Sequence, residues 1–338
     1  MIEHFSHILD QPAAVNAIVA AYANGRLPHG VIFAGPTGVG KATTATALAK
    51  VFLCADERGE NFNAATARLI DAGTHPDFHV VTKELIRLTS KTSKATTLSI
   101  DVVRDHLLAP SMRKSVLGAG KVFVIEEADL MQPVAQNALL KTLEEPAGRT
   151  LIILLTPRPD DLLSTIRSRA QVFGFGQLPN KTVFTQLKLR GIDPTSAEAA
   201  TRLCDGSLGT ALRWIEDGVI EQGRDLSAHL DGLVQSRPTA DLADWLKRAA
   251  EAYAAKQIER DDNTSKDNAT RNGLNIYLGL TARHFRTALL THADDAGVLD
   301  RLCDAVEDIT RCERYLDGNV NITLALQQFG SALVRRFA

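Results

Sequence analysis

The chain of 338 residues has only four cysteines, Cys54, Cys204, Cys303 and Cys312. They lie far apart and show none of the CxxC spacings that bring thiolates to one Zn²⁺. No zinc is therefore expected, and free thiols in a reducing compartment are. A run of about eighteen apolar residues is missing throughout, which excludes an obvious membrane-spanning helix. The opening MIEHFSHILDQ has no basic stretch followed by an apolar one, so the expectation is a cytoplasmic chain without membrane partners. An excess of either charge is also missing: 38 Lys plus Arg stand against 40 Asp plus Glu. Contact with nucleic acid would have to come from local basic positions or from partner subunits. No internal repeat is visible. What is present is 45% hydrophobic residues in a chain too long for one typical domain, which predicts two or three domains with substantial cores.

One more absence is local. The segment GPTGVGKA, Gly35 to Ala42, has the glycines and lysine of a phosphate-binding P-loop and an alanine where G-x-x-x-x-G-K-[ST] requires a hydroxyl. Backbone N–H groups of Gly35, Thr37, Gly38, Val39, Gly40, Lys41, Ala42 and Thr43 are the expected cradle for phosphate oxygens, with Lys41 reaching the terminal phosphates. Ala42 cannot ligate Mg²⁺. Thr43 does not replace it, because one helical residue turns a side chain about 100° around the axis and Mg²⁺ demands near-ideal octahedral geometry. A bare GxxxxGK arises by chance in roughly one chain of this length in ten. Here VIFA (31–34) reads as a strand before it and KATTATALAKVFL (41–53) as a helix after it, with Ala45, Leu48, Ala49 and Phe52 on one stripe.

Further apolar runs, FHVVT (78–82), KVFVIEE (121–127), TLIILLT (150–156) and QVFGF (171–175), predict strands of a parallel sheet buried on both faces. A helix is predicted over 133–145, with Pro133 in its first turn and Ala135, Ala138, Leu139 and Leu143 on one stripe. Beyond Leu178 the strand signals stop and an all-helical half follows, with a break around Gly218 to Gly223. Its last helix carries Ile322, Leu326, Phe329, Leu333 and Phe337 on one stripe behind Asn321 as cap. The polar stretches 91–97 and 257–272 lack apolar periodicity and are expected to be mobile loops.

Three positions invite chemistry. KVFVIEEADLM reads as a Walker B strand in which Glu126 would help hold Mg²⁺ and Glu127 would orient an attacking water; two solvated carboxylates at a strand end are the competing reading. Glu126 in place of the usual Asp is a second departure at the same metal. Thr156, at the end of the next strand, can feel a terminal phosphate, though Thr at a strand end is common without function. Arg167 and Arg169 precede the last strand, where a guanidinium can reach a neighbour's phosphates as an arginine finger does or simply keep the surface soluble. Arg104, Arg113 and Lys114 are candidates to face DNA, with solvated surface charge as the alternative.

The words HGVIFAGPTGVGKATTA (29–45), AGTHPDF (72–78), IDVVRDH (100–106), NALLKTLEEP (137–146) and SRA (168–170) together resemble the bacterial clamp-loader AAA+ family, and most closely its delta-prime branch. The resemblance covers Phe5 to Phe175. It implies a five-stranded α/β AAA+ domain over 1–177, a small helical lid over 178–220 and an all-α collar over 221–338 that packs into a five-membered ring. The SRA word resembles the family's Ser-Arg-Cys, which makes Arg169 the finger offered in trans to an adjacent ATP-binding subunit, with Ala170 in the cysteine's place. Many members carry a four-cysteine zinc module after the P-loop helix; Cys54 stands near its first position and no further cysteine follows. Gly209, in GSLGTAL, stands where ATP-hydrolysing relatives place a phosphate-sensing arginine.

The implied partners are delta and gamma/tau subunits, a sliding clamp and primed DNA. The implied function is a stator of the DNA polymerase III clamp loader with weak or no ATPase of its own. A gamma/tau-type motor subunit is the alternative within the family, and a stand-alone AAA+ enzyme would need a complete site. ATP or ADP held without efficient hydrolysis stays open. Nothing resembles a carboxylate pair for nucleotidyl transfer, so polymerase chemistry is expected in another subunit.

Overall fold

The computed structural model describes residues 2–55, 62–89, 96–235, 237, 241–262, 264–292, 295–318 and 320–337. Contacts divide the chain into two compact units, residues 1–190 with 204–210, and residues 191–203 with 211–338.

In the first unit, strands β1 (Gly30–Ala34), β2 (Phe78–Val81), β3 (Lys121–Ile125), β4 (Thr150–Thr156) and β5 (Gln171–Gly174) form one sheet in the order β2-β3-β4-β1-β5. Every pairing is parallel. Alternation across the pleat builds two cores. Val31 and Phe33 pack with the helices Pro12–Ala23 and Lys41–Cys54, while Ile32 packs into a separate core with Val102, Leu107 and the helix Pro133–Glu144. The apolar runs thus mark the strands. Burial on both faces holds for β3 and β4, all of whose residues are buried. It fails at the sheet's edges, where Val80 of β2 and Val172 of β5 are exposed because fewer elements cover them.

The AGTHPDF word braces a distant loop. The side chain of Asp77, only 3% exposed, accepts the N–H of Val116 at 2.7 Å and of Leu117 at 2.8 Å. His75 Nδ1 accepts the Asp77 N–H. Buried Lys121 donates to the carbonyls of Ser111 and, at 2.5 Å, Arg113. One carboxylate and one ammonium therefore hold the chain between the segment Ala109–Ser111 and β3 by its backbone.

The second unit is helical, with one core that includes Leu230, Leu246, Leu278, Phe285 and Leu333. The final stripe forms as expected in the helix Ile322–Phe337, and the side chain of Asn321 accepts the N–H of Thr323 at 2.9 Å. Two expectations change here. The expected loop over 257–272 is shorter: the helix Leu242–Arg260 runs through its first residues and the helix Lys266–Thr291 through its last, leaving a non-helical connection between Arg260 and Lys266. Gln, Glu, Lys and Arg are good helix formers that keep solvent-facing turns polar, while small Ala269, Thr270 and Gly273 supply the buried side. A Cβ at Gly273 would stand 3.1 Å from the Ala250 backbone, so the two helices approach closely there and a side chain would need its neighbours to give by a few tenths of an ångström. The break lies at Gly218 alone, whose left-handed φ of 73° starts the helix Val219–Val234; Gly223 is inside that helix, against Leu203 and Leu280. Of the other expected loop, residues 91–95 lie outside the described ones.

Removing the brace tests its weight. Asp77→Ala deprives two loop N–H groups of their acceptor and removes the charge that acts on the buried Lys121 ammonium, and the expected loss is ~2–4 kcal/mol in urea unfolding of the whole chain. A loss below ~1 kcal/mol would mean that the loop is held by other contacts.

Candidate functional site

Parallel register delivers the glycine loop to a defined place. Ala34, the last residue of β1, lies beside Thr156 and Gly174, and the Gly35 N–H donates to the Thr156 carbonyl at 3.1 Å. Gly35 has φ +150°, and a Cβ there would sit 2.2 Å from the Phe175 carbonyl oxygen, so glycine is required by space. Gly38 and Gly40 follow with φ +75° and +108°, values that L side chains rarely adopt. Gly40 leads directly into the helix Lys41–Cys54. Val39 is buried, and its carbonyl accepts from Gln11 Nε2 at 3.3 Å; the same amide holds both backbone groups of Gly176. Gln11 is a support that no motif signalled.

Lys41 is the buried cation of the loop and donates to the Gly35 and Pro36 carbonyls at 2.5 and 2.6 Å. Burial lowers its ammonium from 10.5 to about 8, against an opposing pull from the Asp129 carboxylate. Thr37, Ala42 and Thr43 are exposed. The glycines, the lysine and the helix N-terminus fit a phosphate chain. The methyl of Ala42 supplies no ligand for a metal. Among the described residues, no group of three or more His, Cys, Asp or Glu is placed to hold one.

Residues 207–210 close over the outer side of the loop. The Ser207 hydroxyl donates to the Thr37 carbonyl at 2.7 Å and accepts the Thr210 N–H. The Gly209 N–H donates to the Gly38 carbonyl at 2.9 Å. A Cβ at Gly209 would stand 2.8 Å from the Gly38 Cα. No arginine fits at 209 unless the loop moves.

The acidic positions separate. Glu127 has a left-handed φ of 48°, and its half-exposed carboxylate pairs with Lys83 at 2.8 Å. The Glu126 N–H donates to the Val81 carbonyl. Thr156 is fully buried; its hydroxyl donates to Asp129 Oδ1 at 3.1 Å and accepts the Arg158 N–H at 2.9 Å. Asp129 Oδ2 accepts from Arg158 Nη2 at 2.8 Å and Nε at 3.2 Å. Neither Asp129 nor Arg158 was among the sequence candidates. The signal for Asp129 was its position two residues after the carboxylate pair, where a short 3₁₀ turn over Ala128–Leu130 folds the chain back.

Arg169 is elsewhere. It lies two residues before β5 begins, whereas the P-loop follows the end of β1, and the two strands run parallel with Val31 beside Gln171. The two sites are therefore at opposite ends of neighbouring strands, the P-loop at the carboxyl edge of the sheet and Arg169 at its amino edge, about 15 Å of strand apart. Its guanidinium donates to Glu144 Oε1 at 2.5 Å and to the Thr165 carbonyl at 3.0 Å, with the side chain 37% exposed. Arg167 pairs with Asp160, and Arg104 with Asp101.

The family profile described as "DNA polymerase III, delta subunit" matches residues 10–179, half of the chain. The chain belongs to that family. Among its curated relatives, the delta' subunit of DNA polymerase III from Escherichia coli is 33% identical over 198 residues, 58% of this chain and 57% of that protein. The delta' subunit of Pseudomonas aeruginosa is 35% identical over 199 residues, 57% of this chain and 58% of that one. A gamma/tau subunit from Mycoplasma pneumoniae is 28% identical over 241 residues, 71% of this chain and 33% of it. The matched stretch thus spans little more than half the length of the delta' relatives. All five words that carried the resemblance lie within the family match, from His29 to Ala170. Among the described residues no helix is long and apolar enough to cross a membrane.

The lowered Lys41 makes a signed prediction. From about pH 8 to about pH 10.5 the unfolded chain holds this proton more firmly than the folded one, so the lysine's contribution to stability rises with pH across that window. Lys41→Met lacks this rise. Its unfolding free energy relative to wild type, from urea titrations, is expected to fall between about pH 7 and about pH 9.5; a gap independent of pH would show that burial does not penalise the ammonium.

Proposed function

We propose that the chain is the delta-prime subunit of a DNA polymerase III clamp loader: a stator that offers Arg169 in trans to the ATP of a neighbouring gamma/tau-type subunit and helps place a sliding clamp on primed DNA. The observation that carries this reading is the position of Arg169 at the opposite sheet edge from the chain's own P-loop, which a guanidinium cannot bridge within one copy. It can serve only another subunit's nucleotide. The ion pair with Glu144 does not oppose this, because both side chains are substantially exposed and such pairs are worth ~0.2–1 kcal/mol. A polyphosphate with its charge concentrated in a subunit interface outbids one exposed carboxylate.

The features that weaken hydrolysis are independent of that argument. Ala42 offers no metal ligand, and Gly209 leaves no room for a phosphate-sensing arginine. Loss of well-placed charge stabilisation costs orders of magnitude in rate. These departures favour the stator over the gamma/tau-type motor, and the phosphate cradle is left able to hold ATP or ADP without efficient turnover. The helices from residue 221 onward supply the collar that joins delta and gamma/tau subunits in a five-membered ring, and the cell compartment is the cytoplasm.

The test is ATP turnover by a reconstituted loader with clamp and primed DNA. Arg169→Ala is expected to slow the affected neighbour site by ~10³-fold, while the isolated chain shows no turnover. Substantial hydrolysis by the isolated chain would favour the motor, and an unchanged assembly rate would remove Arg169 from the mechanism.

A further inference from the structure

The function leaves the enclosed carboxylate of Asp129 without a role. Asp129 is 4% exposed at its side chain, lies at the carboxyl edge of the sheet beside Thr156, and is met by the Arg158 guanidinium through two N–H groups. It also consumes the hydroxyl proton of Thr156, the side chain that would otherwise face a terminal phosphate. The other carboxylate of the turn is differently placed: Glu127 is half exposed and tied to Lys83. Asp129 reaches the cradle through Thr156, whose hydroxyl it accepts and whose carbonyl takes the Gly35 N–H, and its charge also acts on the Lys41 ammonium.

We propose that Asp129 is an internal anion that sets the affinity of the P-loop for polyphosphate: it engages Arg158 and Thr156 and repels a bound phosphate chain. Charges act strongly over several ångströms where water is excluded, and a buried carboxylate held by a guanidinium does not move aside without leaving an unpaired charge behind. The cradle then has the backbone of a nucleotide site and a low appetite for nucleotide. Arg158 is the positioning residue, since it fixes the Asp129 carboxylate and, through its own N–H, the Thr156 hydroxyl. The inference rests on reading the loop as a phosphate cradle and is independent of the stator role.

ADP titrated into the isolated full chain by calorimetry tests it. Asp129→Asn keeps an acceptor for Thr156 and removes the charge; Asp129→Ser is a second, smaller neutral variant, and circular dichroism with urea unfolding checks that each is folded. Both are expected to bind ADP at least ~10-fold more tightly than wild type, and to bind AMP with a smaller gain, because the repulsion acts on the distal phosphate. The gain is expected to vanish in Asp129→Asn/Lys41→Met. ADP affinity equal to wild type in both folded variants overturns the proposal. So does a gain that survives Lys41→Met, which would mean that ADP has bound to the freed Arg158 outside the cradle. Neither result bears on Arg169, whose test is turnover in the assembly.

Discussion

The parallel register that sets Ala34 beside Thr156 governs the whole carboxyl edge of the sheet. With β1 inserted between β4 and β5, the chain must leave β1 under the Phe175 carbonyl, where no Cβ fits, and its first free N–H is taken by the Thr156 carbonyl. Those two contacts fix the direction of the glycine loop before any side chain is considered. The loop then hands the chain to the helix Lys41–Cys54, whose buried stripe anchors it in the core it shares with β1. The same register sends Arg169 to the other edge. A single pattern of backbone hydrogen bonds thus separates the glycine loop from Arg169, which is why the proposed role of Arg169 is one between subunits.

Two arginine–carboxylate pairs in this unit behave differently because of where their carboxylates lie. Arg169 meets Glu144 with both side chains well exposed, and Arg158 meets an Asp129 that is almost fully enclosed. An exposed pair sits close to thermodynamic neutrality, since water solvates each partner when they part. Parting the second pair, whose guanidinium is itself exposed, strands the Asp129 carboxylate in a poor solvent. The first guanidinium can be transferred to a stronger anion, and the second is committed to its own domain. Exposure, rather than geometry alone, separates a residue that can be lent from one that cannot.

The sheet was legible because its central strands are short apolar runs buried on both sides, and such runs have few alternatives once a glycine loop and an amphipathic helix stand next to them. β4 occupies the very residues of TLIILLT. The edges were less legible, since Val80 and Val172 carry the same β-branched signal whether covered or not. The connection within 257–272 is shorter than its polarity suggests, because polar helix formers on solvent-facing turns look the same in sequence as a loop. Within the site, the phosphate loop was readable from spacing, but Asp129 was not. Motif spacing credits the carboxylates directly after the strand, and only the left-handed Glu127 with the 3₁₀ turn after it brings the next acid back against Thr156. Gln11 was equally invisible, because a contact with residue 176 leaves no periodic trace.

The words that identify the family are largely words about the scaffold. Asp77 of AGTHPDF clamps the loop before β3. Leu143 of NALLKTLEEP fills the space where a side chain at Gly30 would stand, with its Cδ2 2.6 Å from the place of a Cβ. Glu144 of the same word steadies Arg169. The two departures from the expected pattern, Ala42 and Gly209, both lie at the glycine loop. None of the scaffold contacts depends on those two positions. Changes at the glycine loop and the placement of Arg169 are therefore structurally independent, because the two are held by different hydrogen bonds of one sheet.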